Sequence, residues 1–473
     1  MFQSLLKQLY YFDPRLYNTS ENGAYSVAES PRLCVIAIVE SRADRASVHV
    51  CDRLRELADW ERLEDDSRPD ADGGGTWYRT ERAELRSFED FHLHLESPVE
   101  AFECEPDLLV FASRHSGETG PLLTGHFTGN FGPAEYGGED GALAKAAPNA
   151  LAELLEAFER FAPEKYDVGM ECTHHGPSEV GVPSLFAEIG SGDAQWDDPA
   201  AAEAVARAIL EIRDVSPHRE RQIVGFGGGH YVPRFTRIVR ETPWAVGHVA
   251  SEWALEAMGD PHENRAVLEA AFEASGTDLA VVDGEWPDLE AVLEELGYRI
   301  VSETWLREVG DRPLELVETV ESALETVDDG VRFGDVRTDS FRVVNLPVDL
   351  VDAAEGIDPD RTWGALEANA VAFETENGAT RVGDRAALAS EDALERIVAQ
   401  LVAVLEEKYD VVSVEANAVV VEETGFDPAL ARAAGVPEGP AFGRLAGGEA
   451  VTVDGERIEP EDVSVERTER FPI

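Results

Sequence analysis

A short polar block, Glu171-Cys172-Thr173-His174-His175-Gly176-Pro177-Ser178, follows the apolar run from Tyr166 to Met170. Two imidazoles and a carboxylate at the end of a strand are costly to place for packing alone, because a buried polar group must find a partner. The same groups are zinc ligands and proton donors or acceptors. The competing reading is a polar loop whose histidines bond to backbone. Adjacent histidines on extended backbone point opposite ways. His174 and His175 can share one ligand only if the Gly176-Pro177 turn begins there; otherwise one lines the site and the other supports it.

Further groups of the same chemistry flank this block. Ser113-Arg114-His115-Ser116-Gly117-Glu118 and Gly125-His126-Phe127-Thr128-Gly129-Asn130-Phe131-Gly132 place His115 and His126, as ligands or bases, in glycine-rich turns where backbone can approach a ligand closely. Glu188, in Glu188-Ile189-Gly190-Ser191, adds a carboxylate at a glycine-flanked turn, and Trp196 downstream reads as a core residue. Gly225-Phe226-Gly227-Gly228-Gly229-His230-Tyr231 departs from a dinucleotide fingerprint: the last required glycine falls at His230, and the loop comes late in the chain. It reads as a floor for a phosphate, ribose or base, with a tight strand-to-loop turn as the competing reading. His92-Leu93-His94 reads as a solvated strand face with both imidazoles on one side. The chain carries no Ser/His/Asp signature and no zinc-finger cysteine spacing, which leaves metal- or imidazole-assisted hydrolysis.

Elements that could hold these groups alternate along the chain. Leu33–Val39, Leu108–Ala112, Val168–Cys172, Gln222–Phe226, Leu279–Val282 and Tyr298–Val301 read as buried strands. Ala150–Phe161 has helical spacing, with Leu151, Leu154, Leu155 and Phe158 on one face; Ala200–Ile212 and Leu289–Leu296 read as further helices. Strands alternating with helices predict an α/β fold with a mostly parallel sheet flanked by helices, in which ligands bind beyond strand ends. His115, Glu171, His174, His175 and His230 all fall at or just after such ends. All eleven histidines lie between His49 and His262, so imidazole chemistry belongs to the first two-thirds.

The predicted organisation is an N-terminal extension over 1–30, a catalytic domain over 31–305, an acidic linker over 306–345 and a C-terminal α/β extension over 346–473. Met1–Tyr11 looks amphipathic but is no convincing signal peptide. In the extension, Leu394–Leu405 reads as a helix and Val411–Val421 as one strand. Glu164-Lys165-Tyr166-Asp167-Val168 recurs as Glu407-Lys408-Tyr409-Asp410-Val411, better read as a favoured helix-to-strand junction than as a duplication.

The chain holds 95 Asp and Glu against 40 Lys and Arg, a net charge of −55, with 43% hydrophobic residues. Disorder would lack the apolar runs, so the charge is read as adaptation to molar salt. There the Debye length is about 3 Å and counterion release contributes little to nucleic-acid binding. Charge therefore neither supports nor excludes an RNA partner. Four cysteines without CxxC pairing fit a reducing cytoplasm, and the apolar runs are too short for a membrane helix.

Together, Ala112–Ser116, His126–Gly132, Glu171–Pro177, Glu188–Ser191 and Gly227–Tyr231 resemble, in order and spacing, the archaeal- and plant-type D-aminoacyl-tRNA deacylases over roughly residues 31–305. Cys172 stands where a small residue such as Ala is expected. The resemblance implies a core similar to phosphorylase and peptidyl-tRNA hydrolase folds, and hydrolysis of the ester joining a D-amino acid to the 3′ end of tRNA. It also implies zinc, about two ions per chain. The expected roles are His174, His175 and Glu171 in catalysis; His115, His126, His230 and Glu188 as metal ligands; and Thr173, Asn130, Gly227, Gly228, Gly229 and Tyr231 at the substrate. The expected partner is aminoacyl-tRNA, with no DNA or membrane partner, for a cytoplasmic monomer. A zinc-dependent amidase or peptidase acting on small N-acyl substrates and a non-catalytic tRNA-binding protein are the competing functions. Gly435–Gly443 through Ile458 looks like a segment of the metallo-β-lactamase-fold tRNA 3′-end nucleases; without that family's histidines, no catalysis is carried over.

Overall fold

The computed structural model describes residues 36–473. The amphipathic Met1–Tyr11, the extension over 1–30 and the first residues of the Leu33–Val39 run lie outside the described residues. Ile36–Ser41 (β1) is buried along its whole length, as a strand covered on both faces should be. It pairs in parallel with Ala83–Phe88 (β4) and Leu108–Arg114 (β5). Glu61–Asp65 (β2) and Gly75–Arg79 (β3) add an antiparallel edge on the β4 side.

On the other side, β5 pairs in parallel with Ser184–Gly190 (β8). Leu122–His126 (β6) then runs antiparallel to β8, with Asp167–Met170 (β7) parallel to β6. The order is β2-β3-β4-β1-β5-β8-β6-β7. The sheet is thus α/β and parallel at its centre, but its last two strands are reversed. A second, all-parallel sheet holds Gln222–Gly227 (β9), Ala245–Ala250 (β10), Leu279–Asp283 (β11) and Arg299–Ile300 (β12), in the order β10-β9-β11-β12.

Helices cover both sheets. Pro148–Phe161 buries Leu151, Leu154, Leu155 and Phe158, the face its spacing predicts. Pro199–Glu211 buries a row of alanines with Val205 and Ile209, and small side chains let it lie close to its neighbours. One continuous core joins Ile36 and Leu108 of the first sheet to Ile223 and Val246 of the second.

His92–His94 is a single 3₁₀ turn, not a strand face. β4 has already ended at Phe88, so the period-2 pattern has no strand to sit on. His92 is fully buried, and its Nε2 donates to the Ala112 carbonyl at 2.9 Å.

Residues 306–345, expected to be an acidic linker, carry helix Leu314–Ala323 and strands Arg332–Phe333 and Arg342–Asn345. Leu316, Val317, Val320, Val331 and Phe333 are buried in the main core; Glu315 and Glu318 of the helix face outward, while Glu321 turns in to Arg299 and Trp305. Those two strands join Ala372–Glu376 and Arg381–Leu388 in a four-stranded sheet under helix Glu391–Leu405. The single strand expected over Val411–Val421 is a hairpin, Val411–Glu415 against Ala418–Phe426, because Ala416-Asn417 turns the chain. Both copies of the repeated pentapeptide sit between a helix and a strand, but β7 pairs in parallel and Val411–Glu415 antiparallel. Residues 428–463 form two short helices and a small hairpin around Val436, Leu445 and Val463.

Candidate active site

The reversal of β6 sets the site. Glu188, on β8, lies opposite Ser113 of β5 and Thr124 of β6. His115 arrives just past the end of β5 and His126 at the end of β6, from opposite directions. The Glu188 carboxylate lies 3.9 Å from His115 Nδ1 and 3.6 Å from His126 Nε2. The site therefore lies over the junction of oppositely running strands, and not beyond one carboxyl edge. Glu171 follows β7, and His230 follows β9 of the second sheet. The two sheets are tied here by backbone bonds from Cys172 N–H to the His230 carbonyl (2.9 Å) and from Thr173 N–H to the Val249 carbonyl (2.8 Å).

The Gly176-Pro177 turn does begin at the histidines. His175 has φ 48°, in the left-handed region, which histidine enters more readily than most residues. That turn brings its ring round to that of His174, with centroids 4.4 Å apart, and both pack on His126 at 4.3 and 4.9 Å. Three backbone carbonyls fix the tautomers. Nδ1 of His126, His174 and His175 donates to the carbonyls of Phe127 (3.0 Å), Cys172 (2.9 Å) and Gly176 (2.7 Å). Each ring is left with Nε2 for a ligand.

Glu171 is buried and shared. Its Oε1 lies 3.0 Å from His115 Nδ1, and its Oε2 lies 2.7 Å from His230 Nε2 and 3.6 Å from His174 Nε2. His115 Nε2 meets the Tyr231 hydroxyl at 3.0 Å. His230 Nδ1 faces Cys172 Sγ at 3.7 Å. The chain of contacts thus runs Tyr231, His115, Glu171, His230, Cys172. Space for it is made by glycine: a Cβ at Gly117 would lie 2.8 Å from His115 Nε2, and one at Gly190 2.8 Å from its Cδ2. Trp196 packs against the main core as expected, and its Nε1 also donates to the His115 carbonyl at 3.0 Å.

The electrostatics separate the histidines into two kinds. Burial, helped by the neighbouring His126, pushes His174 down to about 3. Burial beside His174 and His126 takes His175 well below the ordinary range. Both are neutral at working pH. Burial also opposes the charge of His230, but Cys172 and Glu171 together hold it up at about 10. His126 is likewise raised against burial, by Glu188 and then Glu171. Glu171, penalised by burial, is drawn well below the carboxylate range by His115 and His230. Two buried carboxylates thus demand compensating positive charge in this pocket.

A cation fits that demand. His126 Nε2 is buried without a hydrogen-bond partner, as a ligand atom kept for an ion would be. Donor atoms of His126, His174 and His175 lie within 4.8 Å of one another, as do those of Cys172, His174 and His230, and of His115, Glu171 and His230. Nitrogen, thiolate and carboxylate donors suit zinc.

The remaining expected residues divide. Asn130 lines the cavity, and its amide holds the loop through the Gly137 and Glu139 carbonyls. Thr173 is buried behind the site; its hydroxyl donates to His248 Nδ1 at 2.9 Å and accepts from Val249 N–H. Gly227 and Gly228 turn against Asp283, with φ 91° and 76°, while Gly229 has open space at its Cα. His248 escaped the sequence reading; a lone histidine inside the apolar strand Ala245–Ala250 was its one signal. A cavity of about 520 Å³ opens over the cluster, lined by His115, His174, His175, His230 and Glu188 together with Phe91, Arg114, Tyr136 and Trp253.

Neutral imidazole nitrogens facing buried carboxylates define a metal-competent acid–base centre on an α/β scaffold. Comparison with known proteins gives the family. The family model of D-aminoacyl-tRNA deacylase matches residues 102–301. A D-aminoacyl-tRNA deacylase of Halorubrum lacusprofundi is 54% identical over 478 residues, spanning 93% of this chain and 97% of that protein. One from Natronomonas pharaonis is 55% identical over 440 residues, spanning 92% and 100%. The crystal structure of AF0625, a conserved protein of unknown function, matches with a TM-score of 0.52 at 27% identity, covering 58% of this chain and 97% of that one. The chain belongs to the D-aminoacyl-tRNA deacylase family. The family model ends at residue 301, so the C-terminal region lies outside the family core, as expected, while the two relatives align well past it and share that region.

Proposed function

We propose that this chain hydrolyses the ester bond of D-aminoacyl-tRNA, D-tyrosyl-tRNA among them, releasing the free D-amino acid and tRNA that can be charged again. The observation that carries this reading is the cluster of three carbonyl-anchored imidazoles beside the Glu171–His230 pair, in a chain sharing more than half its residues with deacylases of two archaea.

An aminoacyl ester is already activated, so the site needs to supply an oriented water, stabilise the oxyanion and protonate the leaving ribose oxygen. His126, His174 and His175 are the best candidates to hold a metal ion, because each keeps Nε2 free while His115 and His230 have both ring nitrogens engaged. A zinc ion held there would supply Lewis-acid chemistry toward the ester carbonyl and the attacking water. The donor groupings that include His230 would take a second ion only after His230 gives up its proton, so the second of the two ions expected for the family and the protonated His230 are alternative states of the same site.

The proton work falls to the Glu171 relay. His230 is 31% exposed at its side chain and reaches the cavity while bonded to a buried carboxylate. Held protonated, it places a positive charge beside the developing oxyanion and a proton within reach of the leaving oxygen. Glu171 orients it and keeps it charged, and Tyr231 fixes His115 on the far side. Glu188 neutralises the cluster from beneath. The acidic surface fits a working milieu of molar salt in an archaeal cytoplasm.

The test is turnover of D-tyrosyl-tRNA and L-tyrosyl-tRNA in molar KCl, before and after dialysis against a chelator, with zinc content measured in parallel. Expected are cleavage of the D-ester, its loss with the metal, and recovery when zinc is restored. Cleavage that survives complete zinc removal would leave the imidazoles as the sole catalytic groups and overturn the metal assignment.

A further inference from the structure

Among the described residues, the exposed large hydrophobic side chains include two aromatics, Tyr136 at 67% and Trp253 at 47% exposure. Both line the cavity that holds the histidines. An aromatic face left in water costs hydrophobic free energy, and two of them at the mouth of one cavity point to a flat ligand.

Both are fixed to the site's own loops. The Tyr136 carbonyl accepts from Gly176 N–H at 3.0 Å, directly after His175. Trp253 follows Glu252, whose N–H donates to the Gly228 carbonyl at 2.8 Å, two residues before His230. The rings therefore keep station relative to the imidazoles while their faces stay open.

A cation completes the mouth. The Arg114 guanidinium lies 5.0 Å from the ring centroids of both Phe91 and Trp196. Most arginines of this acidic chain hold a carboxylate in an ion pair; Arg114 holds none among the described residues and faces the cavity.

We propose that Tyr136 and Trp253 seat the terminal adenine of the RNA acceptor end, with the adjoining phosphate beside Arg114; this rests on the deacylase reading above. Physical chemistry favours a stacking seat in this protein. A surface of net charge −55 cannot attract RNA through its field, and molar salt removes the gain from counterion release. Stacking of a base on an aromatic face survives high salt. The seat also sets register: once the terminal base is stacked, its ribose ester hangs into the cavity toward His174 and His230.

The full chain in molar KCl would be titrated into two fluorescent, uncharged acceptor-stem hairpins. One ends in CCA; the other carries an abasic sugar in place of the last adenosine. The expected result is about tenfold tighter binding of the adenine-ended hairpin, the scale of one stacked base. Trp253→Ala or Tyr136→Ala should cut that preference to about threefold or less, and Trp253→Phe or Tyr136→Phe should restore it. A preference unchanged in both alanine variants, or absent in the wild type, overturns the proposal. So does a shift only in the ratio of D-tyrosyl to D-alanyl ester cleavage with the adenine preference intact, because the rings would then serve the amino acid. Base preference without ester cleavage would sink the deacylase reading and leave the seat standing; cleavage without base preference would do the reverse.

Discussion

Glu171 has no bulk water to share its charge and three imidazoles to do so instead. Together with Cys172, its carboxylate holds His230 at about 10 against burial. Glu171→Gln removes that charge while preserving shape. Expected is a fall in kcat of about 100-fold or more, and a fall of the His230 pKa toward the ordinary 6.5, read from its ring proton shift by NMR in zinc-free protein. The sign on stability follows. A base whose folded pKa is raised stabilises the fold fully below its unfolded value and loses that contribution as pH rises through the folded one. Zinc-free wild type should therefore lose stability between about pH 6.5 and about 10, and Glu171→Gln, which keeps only the Cys172 part of the shift, should show a smaller loss. An unchanged His230 titration in the variant would mean that Cys172 alone holds the proton.

At the scale of elements, strand ends and the loops that follow them carry the proposed catalytic groups, and glycines decide whether those loops close. A Cβ at Gly227 would lie 1.9 Å from the Asp283 carbonyl oxygen at φ 91°, whereas one at Gly229 meets nothing within 4 Å. Gly227→Ala should cost about 2–5 kcal/mol from strain and overlap together, and Gly229→Ala less than about 0.5 kcal/mol. Denaturant unfolding of both variants in the same molar salt checks the contrast; equal losses would refute it. The same elements show what local pattern can and cannot say. The strands ending before His115 and His230 were legible because buried strands read as continuous apolar runs. That Glu171, His174 and His175 belong together was legible from their adjacency. The reversed β6 was not, since antiparallel pairing of β6 with β8 joins residues some sixty apart and leaves no local period. His92 misled for a related reason: alternation over three residues fits a 3₁₀ turn as well as a strand. His248 was hidden because one histidine in an apolar strand carries no pattern, although it anchors the Thr173 hydroxyl.

The whole molecule carries 95 acidic side chains against 40 basic ones, and ion pairs such as Arg237–Glu303 and Arg307–Glu303 cover only part of the excess. Self-repulsion reaches about 10 Å in 0.1 M salt but only about 3 Å in 1 M. Tm should therefore rise steeply with KCl across that range, measured by calorimetry; a flat or falling Tm would show that the charge is not tuned to salt. Composition made this scale the most readable of the three, because net charge needs no knowledge of contacts. The helix of 314–323 was lost in that same signal: its acidic outer face masked the buried Leu316, Val317 and Val320.

The central claim joins a D-specific ester cleavage to one imidazole cluster, and its most direct measurement is single-turnover cleavage of D-tyrosyl-tRNA and L-tyrosyl-tRNA by wild type and by His174→Ala in molar KCl. The account predicts that the wild type cleaves the D-ester and spares the L-ester, and that His174→Ala loses at least about 100-fold on the D-ester while circular dichroism shows it folded. Full D-ester cleavage by folded His174→Ala would contradict the account and place the chemistry elsewhere in the chain.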